Sequence, residues 1–225
     1  MSVAETQAFY GRWARAYDWL CRLLPGLGGL RGAAADALAL SPGDTVVDLG
    51  CGTGANLPHL RERVGSGGRV VGVDLTPGML AEAERRVERE GWENVHLVRG
   101  DAANPPVDDV DAVLGSFVVG MLDDPASAVE RWTDCLNPDG RVAVLEAGRS
   151  NHGVASGLNR AFDAFVAAGA PGDRGDASGR DDSPSRRLDA NIDAARDALA
   201  ANTELTRDER RVGGFVRVVA GRSTV

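Results

Sequence analysis

Lysine is missing from the chain. All 25 basic residues are arginine, set against 33 aspartates and glutamates, for a net charge of −8. So acidic a balance argues against a nucleic-acid surface, so no nucleic-acid partner is expected, although a local basic patch stays compatible with it. Acid excess without lysine resembles salt-adapted, halophile-like proteins, and GC-rich coding also removes lysine. Either origin bears on solubility and environment rather than on fold. Cysteine is scarce: Cys21, Cys51 and Cys135 are odd in number and lack metal-ligand spacing, which excludes a disulfide framework and predicts no metal site. A reduced, cytoplasmic setting fits. No apolar run approaches the roughly 18 residues of a membrane span, and Met1-Ser2-Val3-Ala4-Glu5 does not read as a signal peptide. No feature specifies an oligomeric state.

What is present is enough for a packed globule: 225 residues, of which 43% are hydrophobic, suit a single α/β domain spanning residues 1–225. Its organising stretch is Val46-Val47-Asp48-Leu49-Gly50-Cys51-Gly52-Thr53-Gly54. After the turn signal Ser41-Pro42-Gly43-Asp44, a buried strand stops at three glycines in alternate positions. Those glycines permit positive φ and close approach of a ligand. A helix over about Ala55 to Val64 then aims its N-terminal N–H groups at the same place. Strand, glycine turn and helix start together describe a nucleotide-type site. Two carboxylates reinforce it. Asp48 ends the strand, where a half-buried charge needs a partner. Asp74 ends the next apolar run, 20 residues after Gly54, and suits a ribose diol.

In chain order, residues 4 to 24 carry Phe9, Trp13, Tyr17 and Leu20 at helical spacing, an amphipathic segment that either packs on the domain or forms a lid. Residues 1–40 are read as this lid plus a second helix over Leu30 to Leu40. Thr76-Pro77 starts a helix through Met79 and Val87 to Gly91. Strands are predicted over Val95–Val98, Asp111–Leu114 and Val142–Glu146, with a helix after Asp124-Pro125 and a turn at Asn137-Pro138-Asp139-Gly140. His96 alternates with apolar neighbours and reads as a strand-face residue. Asp48, Asp74, Asp101, Ser116 and Glu146 all fall at strand carboxyl ends, the ligand edge of an open parallel sheet. Residues 150–201 form a helical insert, helices over Val154–Ala168 and Leu188–Ala201 flanking a mobile loop, 169–187. Strands over Glu204–Val212 and Phe215–Ala220, joined by Gly213-Gly214, must run antiparallel to each other.

These residues, taken in order, resemble the class I S-adenosylmethionine-dependent methyltransferases. Val47 to Gly54 is similar, nearly letter for letter, to the family's first motif. Val71-Gly72-Val73-Asp74-Leu75-Thr76-Pro77-Gly78-Met79-Leu80 is similar to the second, Gly100-Asp101-Ala102 to the adenine motif, and Leu136 to Arg141 to the turn before strand five. The resemblance covers roughly residues 44 to 146. Within the family, Phe9 to Asp18 and the insert look most like the small-molecule branch of the ubiquinone/menaquinone C-methyltransferases. It implies a Rossmann-like fold: a mostly parallel seven-stranded sheet, the last strand antiparallel, helices on both faces. It also implies S-adenosyl-L-methionine as cofactor and a small, partly apolar metabolite as substrate.

The resemblance assigns roles as follows. Gly50, Cys51, Gly52 and Gly54 pass beneath the methionine and ribose, and Asp48 orients the ammonium end. Asp74 accepts the ribose hydroxyls, with Leu75 over the adenine and Met79 nearby. Asp101 and Ala102 meet the adenine edge, Ser116 and Phe117 line the methionine side, and Tyr17 closes the cleft. No base is identified: His152 reads more simply as a loop residue, and Val118-Val119-Gly120-Met121 lacks the histidine that many relatives carry there. Two other readings exist. A nicotinamide-dependent oxidoreductase fits Gly50-x-Gly52-x-x-Ala55, but Asp48 would place negative charge beside a pyrophosphate and the antiparallel tail is wrong. A catalytically inactive S-adenosylmethionine-binding protein would keep the pocket without turnover.

Overall fold

A computed structural model of the chain describes residues 27–151, 156–169 and 183–224. Tyr17, His152 and the predicted helix over residues 4–24 lie outside the described residues, as do residues 170–182 of the predicted loop.

The strands are β1 (Thr45–Leu49), β2 (Arg69–Asp74), β3 (Val95–Arg99), β4 (Val110–Ser116), β5 (Leu136–Ala147), β6 (Thr203–Arg211) and β7 (Val216–Ser223). The helices are α1 (Leu27–Ala37), α2 (Leu57–Val64), α3 (Pro77–Glu90), α4 (Pro125–Asp134), α5 (Ser156–Gly169) and α6 (Pro184–Asn202). One seven-stranded sheet takes the order β3-β2-β1-β4-β5-β7-β6. β7 alone is reversed, antiparallel to both β5 and β6, and the other strands run parallel. The chain travels outward from β1 through β2 to β3, then returns to β4 on the other side of β1. The crevice where strand order reverses therefore opens at the carboxyl ends of β1 and β4, the place where such sheets bind ligands.

β1 shows why the sheet is covered on both faces. Val46 packs into one apolar cluster with Leu38, Leu57, Leu60 and Val70, while Val47 and Leu49 face the other, with Trp132 and Leu199. Alternate side chains of one strand thus feed two cores. The Trp132 indole N–H is satisfied within that core by the Ala102 carbonyl at 2.7 Å.

Three local expectations shift. The second predicted helix, α1, runs Leu27–Ala37 and stops before Ala39, whose φ of 45° ends it. The turn at 137–140 lies inside β5 as a bulge: Val110 pairs with Leu136 and Ala112 with Arg141, leaving residues 137–140 opposite Asp111. Residues 184–187, expected in the loop, form the first turn of α6. Ser183 caps it by accepting the Arg186 N–H, and Pro184 suits the first helical position.

Candidate functional site

The glycine turn has the predicted backbone. Gly50, Gly52 and Gly54 have φ of 68°, 56° and 75°. At Gly50 there is no room for a side chain either: a Cβ there would lie 2.7 Å from Cγ2 of Val118, which comes from the segment after β4. At Gly54 it would lie 2.6 Å from Leu57. The turn is thus pinned from both sides. The Cys51 side chain is buried against Gly72, where a Cβ would meet its sulfur at 3.0 Å, so only its backbone belongs to the turn. Burial pushes that thiol well up, which makes it a poor nucleophile.

Asp48 is wholly buried at the end of β1. Its Oδ1 accepts from the Asn56 amide at 2.8 Å, while Oδ2 has no hydrogen-bond partner. Burial pushes the carboxyl up to about 7, against the opposing pull of Asn56 and Arg31. Asn56 also donates to the Ser116 hydroxyl at 2.7 Å, and its own oxygen accepts from Arg31 at 2.7 Å. The Arg31 guanidinium reaches Ser116 at 3.3 Å and stacks 5.2 Å from the centre of the Phe117 ring. Asn56 is the N-cap residue of α2, yet its side chain makes no cap bond because Asp48 and Ser116 take it. Neither Asn56 nor Arg31 was expected from the sequence. An asparagine two residues after the last glycine of the turn was the available signal for the first; for Arg31 there was none.

At the end of β2, Asp74 is organised by backbone. Its Oδ2 accepts the Gly52 N–H at 2.9 Å and its Oδ1 the Thr76 N–H at 2.8 Å. Desolvation nevertheless raises its pKa. Asp74 therefore holds the glycine turn and the start of α3 together, while each oxygen retains a further lone pair. Leu75 beside it is exposed. Met79 comes within 3.8 Å of where a Gly52 side chain would stand. Asp101 is exposed, and its Oδ1 accepts the Ala103 N–H at 2.9 Å; Ala102 is buried and held by Trp132. The expected residues within the described chain thus gather along one edge, around β1, β2, the segment after β3 and the end of β4.

Glu146, at the end of β5, is 3% exposed. One oxygen, Oε1, accepts the N–H groups of Val118 and Val119 at 2.6 and 2.8 Å. Burial pushes the carboxyl up to about 8 in spite of those bonds. Opposite, Asn191 of α6 donates to the Gly120 and Leu122 carbonyls at 3.1 and 2.9 Å. A side chain at Gly120 would press on the end of the Leu188 side chain of α6. Among the described residues, no group of three or more His, Cys, Asp or Glu side chains is placed to hold a metal ion. No described helix is long and apolar enough to cross a membrane.

Comparison with known proteins agrees with this geometry. Residues 46–140 match the family described as methyltransferase domain. Over 103 residues the chain is 42% identical to the aklanonic acid methyltransferase DauC of a Streptomyces species, covering 45% of this chain and 47% of that protein. Over 158 residues it is 34% identical to the chloroplastic 2-phytyl-1,4-beta-naphthoquinone methyltransferase of Arabidopsis thaliana, covering 67% and 60%. The chain therefore spans about half the length of these curated relatives. The crystal structure of a SAM-dependent methyltransferase from Aquifex aeolicus superposes with a TM-score of 0.62 at 20% identity, over 89% of this chain and 94% of that one.

Proposed function

We propose that this chain, whose residues 46–140 match the methyltransferase domain family, is a class I enzyme that transfers a methyl group from S-adenosyl-L-methionine to a small, partly apolar metabolite. One observation carries the reading: Asp48 is buried beside the glycine turn with one carboxylate oxygen unpartnered. An orphaned buried acceptor is costly unless a ligand completes it. The ammonium of a methionine moiety is such a ligand, and a pyrophosphate is not.

The residues present fit the cofactor. Gly50, Cys51, Gly52 and Gly54 leave the backbone bare for the methionine and ribose. Asp48 holds the ammonium, and Arg31, already aligned on Phe117 and Ser116, faces the carboxylate. The open lone pairs of Asp74 take the ribose hydroxyls. Leu75 and Met79 border the adenine, Asp101 and Ala102 its polar edge, and Tyr17 belongs to the closing lid. When bound, the cofactor supplies a sulfonium methyl that is already activated. The chain then has to orient the acceptor in line and exclude water, an effect on the order of 7–11 kcal/mol.

The substrate class draws support from relatives named for aklanonic acid, a phytyl naphthoquinone and demethylmenaquinone. We further read residues 1–225 as a single domain, with 1–40 as lid and 150–201 as insert, in a cytoplasmic, salt-adapted protein that does not bind nucleic acid. The test is thermal: S-adenosylmethionine or S-adenosylhomocysteine raises the melting temperature by mass action and NAD does not. A shift with NAD alone would overturn the reading. Turnover of a reduced naphthoquinone with S-adenosylmethionine separates an enzyme from a binding protein.

A further inference from the structure

Glu146 is the second buried carboxylate at this edge, and no cofactor role falls to it. Burying a carboxylate is costly, and what it meets here is backbone. Its Oε1 gathers the N–H groups of Val118 and Val119, the N-cap and first residue of the short 3-10 turn after β4. The preceding residue, Phe117, has a φ of 56°, a conformation that a non-glycine residue holds only when its surroundings enforce it. The clasp also has a reach. The Val118 side chain lies on Gly50, 2.7 Å from where a Cβ would stand, and on Gly115 beneath it at 3.2 Å. On the other side, Asn191 holds the Gly120 and Leu122 carbonyls. A continuous path therefore runs from Glu146 through the Val118 N–H and side chain to the first glycine of the turn. A second path runs through Phe117 to the Arg31 stack.

We propose that Glu146 is a positioning residue for cofactor binding: by clasping the Val118 and Val119 amides it seats Val118 on Gly50 and sets Phe117 beneath Arg31, shaping the methionine end of the pocket without touching the ligand. The inference rests on the cofactor reading of the glycine turn.

The experiment pairs two measurements on the full chain, S-adenosylhomocysteine affinity by calorimetry and amide exchange over residues 117–122 without ligand. Glu146→Ala speeds exchange at Val118 and Val119 and weakens affinity about tenfold or more, as for leaving buried N–H donors without an acceptor. Glu146→Gln, whose amide oxygen can accept both N–H groups as Oε1 does, stays close to the wild type in both measurements. Leu199→Ala, a core truncation on α6, lowers stability but keeps the wild-type affinity. Faster exchange with unchanged affinity in Glu146→Ala would overturn the proposal, and so would an equal affinity loss in Leu199→Ala. If Glu146→Ala does not fold, Val118→Ala decides, because it trims the side chain seated on Gly50 and leaves the Glu146 clasp in place, and wild-type affinity there overturns the proposal. A wild-type protein that fails to bind S-adenosylhomocysteine refutes the cofactor reading itself, which keeps the two failures distinct.

Discussion

Asp48 and Glu146 are two carboxyls that the folded chain keeps in or near the neutral range, up to about 7 and about 8, because burial disfavours their charged forms. Between about pH 4 and those values the folded state binds more protons than the unfolded one. Stability contributed by protonation is therefore present at low pH and lost as pH rises through 7 and 8, by at most about 1.4 kcal/mol per unit for each group. The denaturation midpoint of the unliganded protein should fall from pH 5 to pH 8. In Asp48→Asn the fall across pH 5–7 should be smaller, and an unchanged slope would show that Asp48 is charged throughout. A bound ammonium favours ionised Asp48, so affinity for S-adenosylhomocysteine should rise as pH approaches 7. Asp74 combines two tasks at the same scale. Because it accepts the Gly52 and Thr76 N–H groups, Asp74→Ala should cost about 1–3 kcal/mol of stability. It should also weaken S-adenosylhomocysteine roughly 10- to 150-fold. Calorimetry beside a denaturant melt reads both, and a stability loss with wild-type affinity would leave Asp74 a purely structural residue.

At the level of elements, the glycine turn and the segment after β4 form one unit. Their contact is steric, Val118 on Gly50, and both chains are locally constrained, with positive φ at Gly50 and Phe117. Gly50→Ala adds a side chain at a φ of 68° and against Val118, and should destabilise by about 1–3 kcal/mol. Val118→Ala removes the colliding methyls but not the backbone strain. The double variant should therefore be less destabilised than the sum of the singles, which a double-mutant cycle measures. Strict additivity would mean that the two segments do not meet. α6 belongs to this unit too: Asn191 and Leu188 pack against residues 120–122 from outside.

Over the whole molecule the dominant quantity is charge. A net −8 with no lysine makes the folded surface self-repelling, and compaction works against that repulsion. Local ion pairs offset part of it, as where Arg217 meets Asp208 at 2.9 Å and Asp193 at 3.0 Å, and where Arg196 meets Asp208 at 3.0 Å. Exposed pairs of this kind contribute little individually and weaken with salt. Screening of the net charge should prevail, so raising KCl from about 0.05 to 1 M, which shortens the Debye length from roughly 14 to 3 Å, should raise the melting temperature. A flat or falling curve would remove the salt-adapted reading.

The sequence by itself determined the strand–glycine–helix unit, the alternation that covers the sheet on two faces, the reversed hairpin at the tail, and the strand-end positions of Asp48, Asp74 and Asp101. These follow from short-range causes: side-chain periodicity, turn chemistry, and the φ that glycine permits. Only the tertiary structure decided what those residues meet. Arg31 reaches Ser116 across 85 residues, Asn56 reaches the same hydroxyl across 60, and Glu146 reaches Val118 across 28. Each pairing depends on the sheet order that brings β4 beside β1 and β5 beside β4, and no local pattern encodes a distance in space between residues so far apart in the chain. Leu188 fills the space beside Gly120 for the same reason: a helix some seventy residues onward packs there once the sheet has formed.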